Sequence, residues 1–154
     1  MKRNKNITQI LILTSILISS TIFANNELDD AFERKSIFIS SSNLTCNHFK
    51  VWLAVTRKQQ MRGLMHVRDL PKNSGMLFIY PDNNIRAMWM KNTYIPLDMI
   101  FIDENGYVSS IQKNTEPLSL KTIRSKKPVK YVLELSSGMS DRIKLRENDY
   151  IFWS

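Results

Sequence analysis

Lys91, Asn92 and Asp98 are the polar side chains whose types and spacing could do chemistry. They fall within eight positions of one another, beside Met88, Trp89 and Met90 and just before and within the apolar run Leu97 to Ile102. A lysine and an aspartate flanking the short connection Tyr94-Ile95-Pro96 could meet as an acid/base pair. The same two groups could instead form an ion pair that holds the corner, because a buried charge without a partner is costly. Asn92 would then bond turn backbone. A third use is binding, with the polar cluster set beside an apolar pocket lined by Met65, Phe78, Trp89 and Met90. The candidate binding set is therefore Met65, Phe78, Trp89, Met90, Lys91, Asn92 and Asp98, with no catalytic residue assigned.

Two other sets deserve comparison. Met61, Met65, Met76, Met88, Met90 and Met99 crowd one region. Thioethers are soft ligands suited to Cu(I), yet methionine also fills irregular cores, so a copper carrier ranks behind packing. Cys46 and His48 share a strand face, and His66 is the only other histidine. No orienting partner accompanies them, so a Cys–His nucleophile is not supported. A single cysteine excludes an internal disulfide and a multi-cysteine zinc site. With four glycines there is no phosphate-cradling loop, and no nucleophile elbow or paired metal-binding histidines occur. No cofactor or metal is expected.

The elements that must position these residues are short strands. The 154 residues make one domain behind a targeting segment. Residues 1–24 read as a secretory signal. Lys2, Arg3 and Lys5 precede apolar Ile10 to Ile18, and small residues lead to a cut after Ala24. The alternative is an uncleaved anchor over residues 7–24, although Gln9, Thr14 and Ser15 disfavour a permanent span. Residues 25–45 form a polar lead-in, with a first edge strand at Ser36 to Ile39, and 46–154 form a single β-rich domain. Phe49 to Val55 reads as a strand. Thr56 then caps a helix from Arg57 to Arg62 that Gly63 ends. Met76 to Tyr80 is a strand stopped at Pro81, and Arg86 to Asn92 alternates as another. Leu97 to Ile102 reads as a central strand, and Asp103-Glu104-Asn105-Gly106 as a hairpin turn into Tyr107 to Ile111. Residues 113–128 are a polar loop. Val129 to Leu135 is a strand, Met139 to Leu145 one or two helical turns, and Asp149 to Trp153 a closing strand. The pattern is mainly β, a small single-domain sandwich or barrel with one or two short helices.

In order along residues 48–153 stand Arg62-Gly63-Leu64-Met65, Gly75-Met76-Leu77-Phe78, Trp89-Met90-Lys91-Asn92-Thr93 and Ile95-Pro96-Leu97-Asp98 with Phe101-Ile102-Asp103. Pro117-Leu118-Ser119, Pro128-Val129, Tyr131-Val132-Leu133-Glu134-Leu135 and Gly138 follow. This series resembles the family called domain of unknown function 192. The resemblance implies a compact β-rich fold common among exported bacterial and archaeal proteins, and it supplies no activity, cofactor or substrate. Two departures stand out. Met88 occupies a position where a second aromatic is expected before Trp89. Glu147-Asn148-Asp149 replaces a Gly-Asp turn, which Asn tolerates because it enters the left-handed conformation.

The net charge is +8, and the basic run Lys121 to Lys127 has no interleaved aromatic motif. It reads as a solvated loop, and no nucleic-acid partner is expected. The expectation is an exported monomer, periplasmic or secreted, that binds a small envelope ligand or a protein partner and touches membrane only through an uncleaved N-terminal segment. An envelope enzyme using Lys91 and Asp98 is the alternative.

Overall fold

The protein is described by a computed structural model that covers residues 27–41 and 45–153. The expected signal, residues 1–24, lies outside the described residues.

A helical turn at residues 27–31 (α1) precedes strands β1 (Arg34–Ser40) and β2 (Cys46–Ala54). Helix α2 (Arg57–Arg62) leads to β3 (Ser74–Asn84), β4 (Ala87–Met88), β5 (Leu97–Ile102), β6 (Val108–Gln112), β7 (Ile123–Arg124) and β8 (Val129–Ser136). Helix α3 (Met139–Arg142) and β9 (Tyr150–Trp153) complete the described elements. Seven strands form one sheet in the order β6-β5-β8-β3-β2-β1-β9, and β4 pairs β7 as a separate ribbon. Every pair is antiparallel except β2 with β3. That parallel pair requires a crossover, which α2 and its following loop supply.

The sheet curls until its edges meet. Tyr107 bridges Tyr150. Val108 N–H donates to Asp149 O at 2.9 Å, and Ile151 N–H donates to Gly106 O at 2.9 Å. The result is a curled half-barrel whose two edges touch in a thin seam where Gly106 to Val108 meet Asn148 to Ile151. Ile37, Ile39, Phe49, Val51, Leu77, Ile100, Leu133 and Ile151 fill its interior, with Met139, Ile143 and Leu145 from the α3 region packed against them. The opposite face is also buried. Trp52, Met76, Phe78, Met99, Phe101 and Val132 point outward and are covered by Leu28, Phe32, Leu64, Met88 and Met90. Both faces of the central strands are therefore apolar, which explains why all six residues of β5 are buried.

Local chemistry sets the ends. Thr56 and Gln59 make a reciprocal capping box: Thr56 Oγ1 accepts from Gln59 N–H at 3.3 Å, and Gln59 Oε1 accepts from Thr56 N–H at 3.0 Å. Asp103 Oδ1 accepts from the N–H of Asn105 and Tyr107, each at 2.9 Å, and Gly106 takes φ +91°. Asn148 adopts φ 70°, so the turn before β9 forms without a glycine.

Several elements differ from the sequence expectation. β1 is flanked by β2 and β9 and is no edge strand, because Ile37 and Ile39 lie in the barrel interior. β3 continues past Pro81 to Asn84 through a register shift, which spares the proline a ladder donor. The stretch Arg86 to Asn92 pairs only at Ala87 and Met88. Beyond them Asn92 takes φ 55° and Thr93 N–H donates to Met90 O at 3.0 Å, so the chain turns. The loop 113–128 holds β7, which meets β4.

Candidate functional site

A cavity of about 200 Å³ opens on the outer face of the sheet. Phe78 and Tyr80 enter it from β3, and Glu134 enters from β8. Gly63, Leu64 and Met65 come from the turn after α2, Met88 from β4, and Trp89 and Lys91 from the turn that follows. Gly63 has φ +48°, and a Cβ there would stand 3.1 Å from Phe78 Cζ. A bare backbone lets this turn lie close to the strand.

Glu134 is the residue that gives the cavity its character. It is 3% exposed. Its position in the ladder places it between Met76 of β3 and Met99 of β5, both fully buried. Among the described residues no donor or cation meets its carboxyl. Burial pushes the carboxyl up to about 8, so at neutral pH it is mostly the neutral acid. Tyr80 stands near it. Burial first, then the Glu134 charge, raise the phenol to about 12 against the lowering effect of Arg86. The Tyr80 hydroxyl donates to Met88 Sδ at 3.4 Å. Arg86 is stacked on the Tyr80 ring with Cζ 4.1 Å from its centroid, and its guanidinium also meets Asp82 at 2.9 Å and Val129 O at 3.1 Å. This bracing holds the ring against the cavity wall.

The mouth is basic. Arg57, Arg62 and Lys91 line it, and Glu134 is the only acid among the lining residues. Arg62 meets Glu27 at 2.6 Å, whereas Arg57 and Lys91 have no acidic partner among the described residues. Lys91 Nζ lies 5.4 Å from the centroid of the Trp89 ring, which is 50% exposed.

The seven residues singled out from sequence divide here. Met65, Phe78, Trp89 and Lys91 line the cavity. Met90 is buried with its sulfur on Thr115 Oγ1 at 3.2 Å and faces elsewhere. Asn92 shapes the turn: its carbonyl accepts from His66 N–H at 2.8 Å, and its amide lies 4.0 Å from Met65 Sδ. Asp98 projects to the other face of β5, where its carboxylate accepts from Ser140 N–H at 2.9 Å and Asn114 N–H at 3.1 Å. It thereby anchors the first turn of α3, and the structure does not bring it to Lys91. The reason is parity: Leu97, Met99 and Phe101 face outward, so Asp98 faces with Ile100 and Ile102. The sulfurs of Met65, Met88 and Met90 each face a different donor. Cys46 is exposed, and His48 Nε2 lies 2.9 Å from Ser36 Oγ.

Sequence reasoning missed Glu134, Tyr80 and Met88 as cavity residues. The available signal was Val132, which shares the parity of Glu134 on β8 and is apolar. An apolar residue on that parity implies a covered face, and a glutamate two positions on is then a buried acid.

Fold and cavity together define a small single-domain β half-barrel with a lateral pocket floored by an acid. The chain belongs to the family domain of unknown function 192, whose model, described as "Uncharacterized ACR", matches residues 38–153. No curated protein shows significant similarity to it. A crystal structure of a protein from Sinorhizobium meliloti 1021, provisionally named a transcription regulator, is 35% identical. It superposes with a TM-score of 0.78 over 79% of this chain and 95% of that one. A protein of unknown function from Novosphingobium aromaticivorans DSM 12444 is 28% identical, with a TM-score of 0.77 over 79% and 86% of the two chains.

Proposed function

We propose that the protein is an exported binding module of the cell envelope that holds a small, partly apolar ligand in the cavity above Glu134. One observation carries this reading. A carboxyl with no hydrogen-bond partner among the described residues, on a residue only 3% exposed, sits at the floor of an open, partly apolar cavity. A largely desolvated neutral carboxyl without a hydrogen-bond partner costs about 1–3 kcal/mol. A bound molecule offering a hydrogen bond to Glu134 removes that cost, so the cavity is built to gain from occupancy. Export rests on the charged, apolar and small-residue pattern of residues 1–24.

The test is a thermal-shift screen of small molecules on the protein and on Ala87→Trp. Ala87 is exposed and lines the cavity, so a tryptophan there obstructs the mouth without crowding the core. A ligand at a hundredfold over its dissociation constant adds about 2.7 kcal/mol of stability. Hits lost in Ala87→Trp support the reading; hits of equal size in both proteins overturn it. Export is checked separately by cell fractionation and the mass of the mature chain, expected to begin at Asn25.

A further inference from the structure

The cavity carries opposite chemistry at its two ends, and this narrows what fits. Arg57 and Lys91 at the mouth have no acidic partner among the described residues, and Arg62 adds a third positive side chain. Charges in a concave, partly apolar setting focus their field on an entering ligand. Between mouth and floor Phe78, Met88 and half-exposed Trp89 give apolar wall, alongside polar groups of Gln60, Tyr80 and Thr93. At the floor Glu134 has no hydrogen-bond partner among the described residues.

Resting on the binding reading above, we propose that the site takes a small organic acid: its carboxylate at Arg57 and Lys91, its apolar body along Trp89 and Met88, and a hydrogen-bonding group at its inner tip against Glu134. A cation is disfavoured because it must pass the basic mouth. A purely apolar molecule is disfavoured because it leaves the floor acid unsatisfied.

The experiment is isothermal titration calorimetry of the full protein with probes of one size and different charge: 3-phenylpropionate, 3-phenylpropanol and 3-phenylpropylamine. A fourth probe, 3-(4-hydroxyphenyl)propionate, adds a polar tip. The anion is expected to bind about tenfold more tightly than the alcohol, and the amine more weakly than both. In Arg57→Gln/Lys91→Gln, two exposed positions, the anion loses its advantage while the alcohol binds as before. The 4-hydroxyl is expected to improve binding several-fold, and Glu134→Leu to abolish that improvement. Equal binding of anion and alcohol overturns the assignment of ligand class and leaves the pocket reading standing. Tightest binding by the amine also overturns it, since Glu134 would then act as a counter-ion. No binding by any probe, to a protein whose melting confirms it is folded, overturns both.

Discussion

Replacing Glu134 by glutamine tests whether the acid is held neutral by burial. A carboxyl that ionises at 4.5 when solvated and at about 8 in the fold binds a proton in the native chain that the unfolded chain has lost. The folded-state value is raised, so stability is greatest below the unfolded value and declines as pH rises toward the folded one. The slope is about 1.4 kcal/mol per pH unit, which accumulates to roughly 3–4 kcal/mol between about pH 5 and pH 8. Glutamine cannot titrate and fills nearly the same volume. The difference in unfolding free energy between Glu134→Gln and the parent should therefore grow in favour of the variant by about 3–4 kcal/mol across that window. For a domain of this size that corresponds to roughly ten degrees or more in Tm. Urea denaturation of both proteins at a series of pH values measures it, and subtraction cancels every other titrating group. Parallel curves for parent and variant would refute the argument, since Glu134 would then be ionised in the fold and satisfied by a partner.

Asp98→Ala orphans the N–H groups of Ser140 and Asn114, and should cost about 3 kcal/mol in chemical denaturation. Lys91→Ala should change stability little. The double variant should show coupling below about 0.5 kcal/mol, and a larger value would restore an ion pair between the two. Trp89→Ala removes an exposed ring, so it should alter Tm by only a degree or two while weakening any cavity ligand about tenfold or more. Gly75→Ala would place a Cβ 2.3 Å from Glu134 O and 2.7 Å from a Leu135 methyl, between adjoining central strands; soluble expression should collapse, and a stable Gly75→Ala protein would contradict the β3–β8 register.

How much was legible in the sequence depended on whether a feature is local. The N-cap at Thr56 and the hairpin turn at Asp103 to Gly106 are made by neighbours in the chain, and both formed, the cap with a reciprocal bond at Gln59 that the sequence reading does not name. The continuous apolar run of β5 announced a strand buried on both faces. What failed required knowing the third dimension. The corner at Tyr94-Ile95-Pro96 brings Lys91 and Asp98 near in sequence, but strand parity turns Asp98 toward α3. Arg86 to Asn92 alternates like a strand, yet it meets a partner over two residues only, because β7 is that short. Glu134 looked like the polar member of an alternating strand. Only the covering loops, which no local pattern announces, convert it into a cavity floor.

The seam between β6 and β9 has a consequence for how the protein is made. β9 is both the outer neighbour of β1 and the strand that meets the start of β6, and it follows every other described strand in sequence. During synthesis every other strand leaves the ribosome before it. Until Tyr150 to Trp153 emerge, β1 lacks its outer neighbour and presents a row of free N–H and C=O groups open to pairing with another chain. A chain truncated before Tyr150 therefore leaves β1 as an exposed edge, of the kind that chaperones and proteases recognise. Covering β1 with a strand made more than a hundred residues later makes translation through Trp153 a condition for escaping quality control.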